Sequence, residues 1–462
     1  MCVRGDQQRD GVDYQSADLY SPTLKAAEAR LLTAIGAEHG CKIYKTDTSQ
    51  AFLYGDMGDD KVYIRPPPWW PEEIPEGHVL QLLKSIYGTK QAARRWHVHI
   101  SGWMESNGYP AVNSEKTIFM KRVDDDFIIH GLFVDDMMHI PTNESLWKEF
   151  IDKYSKDFDI TGGMLMDSFL GMEVEQSEGK IRLHLDKYIT DIVDEFSKFS
   201  AKIGAKPVRP RSVPSQPGLL LTRDDCPISP DPIKQKFYRS MIAKLQFAAT
   251  WIRFDISFSV AQLARFCASA GPTHWDALRR LIGYLAGCPS LKLTYRKRSS
   301  RSNGLVGFAD ADWANSLTRH STTGNLFLYN GTPISWRSKL QKTIALSTAE
   351  AEYYSASRAA IEVIYLRYLL SGMGFAPAGY TPVYEDNTAC IEWSNNIISG
   401  RERAKHIDIR KHFAHEAIQN GHLRLLRVST TQQLADIFTK SIHPTPWVNC
   451  LSSILGGKWV PS

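Results

Sequence analysis

The chain has 462 residues, room for two to four domains of ~100 to 200 residues, so a peptide or a single small scaffold is excluded. Apolar residues make up 43% and charged residues 23%, which excludes a disordered chain and a coiled-coil rod. Basic residues exceed acidic ones by 55 − 50 = 5, an excess too mild to select a partner.

Seven scattered cysteines without a CxxC pair argue against a disulfide framework or a zinc knuckle and for a reducing compartment. The longest uncharged apolar run, residues 127–134, holds His130 and Gly131 and falls far short of the ~18 residues of a membrane span. The start, MCVRGDQQRD, lacks the apolar stretch of a signal peptide, so an intracellular protein with no readable address is expected.

In chain order, residues 42–52 (KIYKTDTSQAF) read as a strand carrying Asp47. Residues 86–96 follow as IYGTKQAARRW, rich in glycine and cations. Residues 127–140 (FIIHGLFVDDMMHI) place Asp135 and Asp136 between two apolar strands. Neighbours on one strand face opposite ways, so this pair can share a site only at a hairpin turn; a solvated turn is the plainer alternative. Seven prolines between 207 and 232 predict an extended connector. Residues 238–266 and 274–286 carry apolar residues at helical spacing, and the basic run RKRSSRS (296–302) closes that region. Beyond it come strands over 305–308, 325–329 and 332–336, a long helix over 348–370, a strand over 382–384 and further helix, the order of an α/β domain over a mixed sheet.

Several stretches together resemble the reverse transcriptase of copia-type long-terminal-repeat retrotransposons: 47–53 (DTSQAFL), VYIRPPP (62–68), 86–96, FVDD (133–136) and SFLGMEVE (168–175). A polymerase must align a 3′-hydroxyl with an α-phosphate and neutralise developing charge, for which carboxylates gathered around two Mg²⁺ are suited. The resemblance implies that Asp47 and Asp135 hold both metals and that Asp136 completes the site. It also implies that Phe52 stacks under the sugar and excludes a 2′-hydroxyl, that Gln91 lines the nucleotide pocket, and that Lys90 and Arg94 meet substrate. Core packing for Phe52 and an exposed helical position for Gln91 are the structural alternatives. Only Val3, Arg4 and Gly5 of the family's basic fingers segment precede GVDY (11–14), so shortened fingers are expected.

A second set of stretches, GFADADWA (307–314), STAEAEYYSASRAA (347–360), YEDNTACIEW (384–393) and QLADIFTK (433–440), resembles the ribonuclease H region of the same elements. That chemistry needs three or four carboxylates around two metals. Asp310, at a strand end, is the expected bridging ligand, with Asp312 on the same face as the fallback. Ser347 and Glu350 form a capping box, giving Glu350 a structural task; Glu352, ~200° further round the helix, is left for the metal. Asp386 is the third ligand, or else a helix N-cap. Asp436 is the fourth, on a helix, with Asp408 as substitute. Lys405 and His406 are expected substrate contacts. A zinc site at His412 and His415 lacks further ligands.

The resemblance thus implies an α+β multidomain chain. Truncated fingers and palm occupy 1–141, the end of the palm with a helical thumb and connection 142–300, and a ribonuclease H-like domain with a mixed five-stranded sheet 301–462. The implied substrates are an RNA template, a DNA primer, dNTPs and an RNA–DNA hybrid, with Mg²⁺ (or Mn²⁺) as cofactor and no membrane; the location is a cytoplasmic particle or the nucleus. Arg94, Arg95, Arg296, Lys297, Arg298, Arg401, Arg403, Lys405, Arg410 and Lys411 are the candidate phosphate contacts. The alternative is a fragment with an inactive polymerase that keeps ribonuclease H or only nucleic-acid binding.

Overall fold

The computed structural model describes residues 2–297, 304–313, 319–395 and 413–456. The chain divides into two compact units, one of residues 1–25 and 39–166, the other of residues 26–38 and 167–462. Among the described residues no helix is long and apolar enough to cross a membrane, and no disulfide joins any of the seven cysteines.

Helix α1 (Ala26–Glu38), which the sequence reading did not assign, belongs to unit 2. It is buried almost all round, as befits a helix with no polar face. Its one buried cation, Arg30, is satisfied by the carbonyls of Ile334, Thr250 and Trp251 at 2.7–2.8 Å and lies 3.7 Å over the Trp336 ring.

Unit 1 begins with β1 (Tyr44–Thr48), a small hairpin of β2 (Tyr63–Ile64) and β3 (Leu80–Gln81), and α2 (Ala92–Ser106). β4 (Ile118–Val123), β5 (Asp126–Phe133) and β6 (Asp136–Pro141) follow, then α3 (Glu144–Asp157) and β7 (Ile160–Leu165). The sheet order is β4-β5-β6-β1-β7, antiparallel throughout. Trp96, Ile100 and Met104 recur every four residues on α2; with Leu146, Phe150 and Tyr154 of α3 they cover the apolar face of this sheet. The strand expected over 42–52 is shorter: β1 stops at Thr48, and residues Ala51–Tyr54 form a 3-10 turn after Gln50 takes a left-handed conformation at φ 54°. Phe52 therefore sits on a turn, not a strand.

Unit 2 opens with β8 (Ser168–Phe169), β9 (Met172–Ser177) and β10 (Lys180–His184), then helices α4 (Asp186–Lys202), α5 (Pro232–Trp251), α6 (Ser257–Ala264) and α7 (Pro272–Gly287). β11 (Leu293–Arg296) returns to β10, so the antiparallel sheet β11-β10-β9-β8 brackets the helical middle. The proline-rich stretch carries no strand and is not free: Val213 and Pro214 are buried. A buried ion pair, Arg253 to Asp255 at 2.7 Å, joined by the Tyr284 hydroxyl donating to Asp255 at 2.8 Å, ties α7 to the turn before α6.

A second sheet uses β12 (Leu305–Asp312), β13 (Thr322–Tyr329), β14 (Thr332–Leu340), β15 (Thr381–Glu385) and β16 (Leu423–Arg427), in the order β14-β13-β12-β15-β16. β12–β13 and β13–β14 are antiparallel while β12–β15 and β15–β16 are parallel, a mixed five-stranded sheet. Helices α8 (Thr348–Gly372) and α9 (Thr388–Asn395) flank β15, as a parallel crossover requires, and α10 (Pro444–Leu455) ends the described chain.

Candidate active sites

In unit 1, β1 and β6 are neighbours, with Asp47 directly opposite Asp136. Like charges so placed repel unless a cation intervenes. Val134 and Asp135 form the two-residue turn between β5 and β6, and the amide of Thr48 donates to the Asp135 carbonyl at 3.0 Å. The turn thus brings the backbone of Asp135 and Asp136 beside that of Asp47 and Thr48, while the three carboxylates do not converge within 4.8 Å of one another. Val134 adopts φ 56°, a left-handed conformation that a β-branched residue strongly resists. The Trp96 indole N–H, donating to the Val134 carbonyl at 2.6 Å, holds it there.

Burial, aided by its two acidic neighbours, pushes the Asp136 carboxyl up to about 6, and burial with the Asp47 charge raises Asp135. Tyr87 lies close enough for burial and the charges of Asp135 and Asp47 to raise its phenol, and its ring packs 4.8 Å from Phe52. Phe52, half-buried, is thereby in the neighbourhood of the carboxylates. Thr161 donates to Asp47 at 3.3 Å from the opposite side.

Gln91 is buried, 3% exposed. Its Oε1 accepts from Gln8 at 3.0 Å and its Nε2 donates to the Asp13 carbonyl at 2.6 Å. Gly88, at φ 98°, makes this approach possible: a Cβ there would meet the Val3 carbonyl oxygen at 1.9 Å. Lys90 is exposed and its amide donates to Gln8 Oε1 at 2.7 Å; Arg94 is half-buried on the first turn of α2. Arg95, counted among the phosphate contacts, is paired with Asp60 at 2.6 Å.

In unit 2, Asp310 on β12, Glu352 on α8 and Asp386 after β15 each offer a carboxylate oxygen, all within 4.8 Å of one another; no other triple among the described residues does so. β12 and β15 are adjacent parallel strands, so their C-terminal ends open at one edge. The side chain of Ser347 accepts from the Glu350 amide at 3.2 Å and the Glu350 carboxylate accepts from the Leu346 amide at 2.7 Å, so Glu350 is consumed by the helix start while Glu352 turns inward. The N-cap of α9 is Asn387, whose Oδ1 accepts from the Cys390 amide at 3.0 Å. Asp386 is free of that duty.

Asp436 lies on a short 3-10 helix, Leu434–Phe438, rather than the regular helix expected. Gly324 lets that turn approach: a Cβ there would meet Thr439 Cγ2 at 2.5 Å and the Ala435 carbonyl at 2.9 Å. Thr439 donates its hydroxyl to Asp310, and Lys440 pairs with Asp436 at 2.8 Å. Asp312 lines a small cavity with Thr322 and Lys440, outside the carboxylate triple.

Burial raises the carboxyls of Asp310, Glu352 and Glu385, each reinforced by neighbouring acids, and brings Asp436 up to about 7. For Lys440, burial works against the charge but Asp310 and Asp436 outweigh it and raise its pKa. Glu385 is fully buried one residue before Asp386, and Thr439 and Lys440 clasp two carboxylates; no pattern in the sequence singles out any of the three. Neither a YED triplet nor the end of ADIFTK distinguishes a buried acid or clamp from a surface residue.

The donor set fits a hard divalent cation: all oxygens, four candidate ligand carboxylates with the buried Glu385 beside them against one ammonium, and Glu352 Oε2 and Glu385 Oε2 buried without a hydrogen bond. Lys405, His406, Asp408 and His412 lie outside the described residues, as do Arg298, Arg401, Arg403, Arg410 and Lys411. His415 is buried, its Nδ1 3.1 Å from the Ser394 carbonyl.

Residues 1–210 match the family described as "Reverse transcriptase (RNA-dependent DNA polymerase)". The chain is 32% identical over 457 residues to the retrovirus-related Pol polyprotein from transposon TNT 1-94 of Nicotiana tabacum, covering 97% of this chain and 33% of that protein. It is 31% identical over 456 residues to the Pol polyprotein from transposon RE1 of Arabidopsis thaliana, covering 98% and 30%. A putative transposon Ty5-1 protein of Saccharomyces cerevisiae, 29% identical over 323 residues, is covered over its full length, 100%, by 69% of this chain. The chain therefore spans about a third of the two plant polyproteins. Over nearly its whole length the chain is thus similar to retrovirus-related Pol polyproteins of transposons, and its residues 1–210 match a reverse transcriptase family.

Proposed function

We propose that the chain performs two phosphodiester reactions. Unit 1 copies an RNA template from a DNA primer and dNTPs at Asp47, Asp135 and Asp136, and unit 2 cuts the RNA of an RNA–DNA hybrid at Asp310, Glu352, Asp386 and Asp436. On this reading residues 1–141 act as fingers and palm, 142–300 as the end of the palm, thumb and connection, and 301–462 as the ribonuclease H-like domain. The observation that carries it is the convergence of three carboxylate oxygens within 4.8 Å at the open edge of a mixed sheet, in a chain whose first part has the reverse transcriptase family.

Two divalent ions, Mg²⁺ or Mn²⁺, would supply an activated nucleophile and neutralise charge developing on the phosphate. Asp310, Glu352, Asp386 and Asp436 would hold them in unit 2, and Asp47, Asp135 and Asp136 in unit 1. The chain's own residues do the positioning. Thr439 fixes one oxygen of Asp310, Lys440 draws Asp436 to its side, and the 3-10 turn that carries Asp436 packs tightly on β13. In unit 1 the Trp96–Val134 hydrogen bond fixes the hairpin that presents Asp135, and Phe52 against Tyr87 offers an aromatic wall for a sugar.

Primer extension on an RNA template and cleavage of a labelled hybrid, both with Mg²⁺, test the two halves. Extension lost in Asp135→Asn with cleavage kept, and the converse in Asp310→Asn, support the proposal; no Mg²⁺-dependent reaction in either assay sinks it. A second reading, cleavage without synthesis, is favoured by one observation: the Gln91 carboxamide is closed off by Gln8 and Asp13. It predicts hybrid cleavage alone.

A further inference from the structure

Outside both carboxylate sites, unit 2 contains a cleft lined by Lys206, Arg209, Arg211, Arg279 and Arg280, with Asp276 as the one acidic residue of its lining. Five cations against one anion leave a surplus of four. Only Arg279 has a carboxylate partner among these, Asp276 one turn earlier on α7. The Nε atoms of Arg279 and Arg280 are buried without a hydrogen bond, and burial together with the Arg211 charge lowers the Arg280 pKa. Gathering such groups costs free energy that the single Arg279–Asp276 pair returns only in part, as expected where an anion completes the site.

The cleft is built, not an accident of flexible side chains. The chain carrying Arg209 and Arg211 lies on the back of α7, and the Arg211 amide donates to the Gly283 carbonyl at 3.1 Å. Two glycines on α7 permit the contact: a Cβ at Gly283 would come 2.3 Å from the Arg209 carbonyl oxygen, and one at Gly287 3.2 Å from that of Arg211. Pro207 and Pro210 restrict the same stretch.

We propose that this cleft binds the phosphodiester backbone of one strand of a nucleic-acid duplex, through Arg209, Arg211 and Arg280. It explains why the proline-rich stretch is nailed to a helix rather than left as a loose connector. The inference rests on the nucleic-acid reading above and adds a specific place on the chain to it.

The test is fluorescence anisotropy of a labelled RNA–DNA hybrid with the full chain over a salt series. Each lost phosphate contact reduces the slope of log K against log salt by ~0.9, so Arg209→Gln/Arg211→Gln/Arg280→Gln is expected to flatten it by about 2 to 3. The control Lys148→Gln/Lys198→Gln/Lys234→Gln removes the same charge from exposed positions elsewhere and is expected to leave the slope within one contact of the parent. Thermal melting checks that both variants fold, and single-arginine variants replace the triple if it does not. A parent chain that fails to bind hybrid overturns both this inference and the functional reading. Binding by the parent with an unchanged slope in the arginine variant overturns the cleft alone. Specific displacement of hybrid by inorganic phosphate at matched ionic strength assigns the cleft to a small anion and also overturns it.

Discussion

Replacing Glu352 by glutamine removes one charge from the carboxylate cluster while keeping its volume, and separates what the cluster does for folding from what it does for chemistry. Two ionised oxygens 4.8 Å apart repel by about 3.5 kcal/mol at an effective dielectric of ~20. Pairs closer than that limit repel more, and the metal-free protein escapes part of the repulsion by holding protons, as the raised carboxyls of Glu352 and Asp310 indicate. Glu352→Gln is therefore expected to stabilise the metal-free chain by about 1–2 kcal/mol, a rise of about 1.5 °C in Tm per kcal/mol for a unit of this size. The sign of the pH dependence follows from the direction of the shifts. A carboxyl whose folded pKa is raised binds more protons folded than unfolded, so stability falls as pH rises between the unfolded and folded values; for Asp436 that window runs from 3.8 to about 7. The parent should thus lose stability across this range without metal and regain it with Mg²⁺, by about 1.4 kcal/mol for each tenfold excess of ion over Kd. The variant should show a weaker loss, a weaker Mg²⁺ gain and no hybrid cleavage. Melting curves from pH 4.5 to 8, with and without Mg²⁺, read all three. A variant less stable than the parent in the absence of metal, with an undiminished Mg²⁺ response, would refute the cluster as a metal-binding arrangement under strain.

Lys440→Met should lower metal-free stability, since Asp436 loses its ammonium partner, and raise the affinity for Mn²⁺ measured by calorimetry; unchanged affinity would mean the ammonium and the ion do not compete. In unit 1, His130 and His139 are fully buried with their Nδ1 atoms 2.8 Å apart, and burial lowers His139 to about 3. Each is charged only on unfolding, so the unfolding free energy from urea titrations should fall below pH 6.5 by roughly 1.4 kcal/mol per pH unit per histidine; a flat profile to pH 5 would refute their burial as neutral rings. Arg253→Met should cost about 3–5 kcal/mol by stranding Asp255, and Arg253→Met/Asp255→Leu should recover most of it in chemical denaturation. Trp96→Phe removes the N–H that holds Val134, at about 1–3 kcal/mol; primer extension should fall more than hybrid cleavage, and equal losses would point to general unfolding.

The family resemblance implied which carboxylates to compare, and the apolar period-two runs placed several of them on or beside strands, although β12 runs on to Asp312, so Asp310 lies inside the strand and not at its end. The sequence by itself separated Glu352 from Glu350, since a capping box is local chemistry that three residues decide. A turn at Asp135 followed from two apolar strands meeting in a polar dipeptide. The remaining features of the sites depend on residues far apart in the chain. That Asn387 caps α9 and leaves Asp386 free, that Thr439 and Lys440 clasp Asp310 and Asp436, and that Gln8 closes over Gln91 all require side chains to meet across separations no periodicity records. α1 escaped the sequence reading for the converse reason: a helix buried on every side has no polar face, so it presents no amphipathic period to find. The proline-rich stretch shows the same limit. Its prolines specified an irregular run of chain, but the glycines of α7 that seat it, and the cations it thereby gathers, belong to the packed fold.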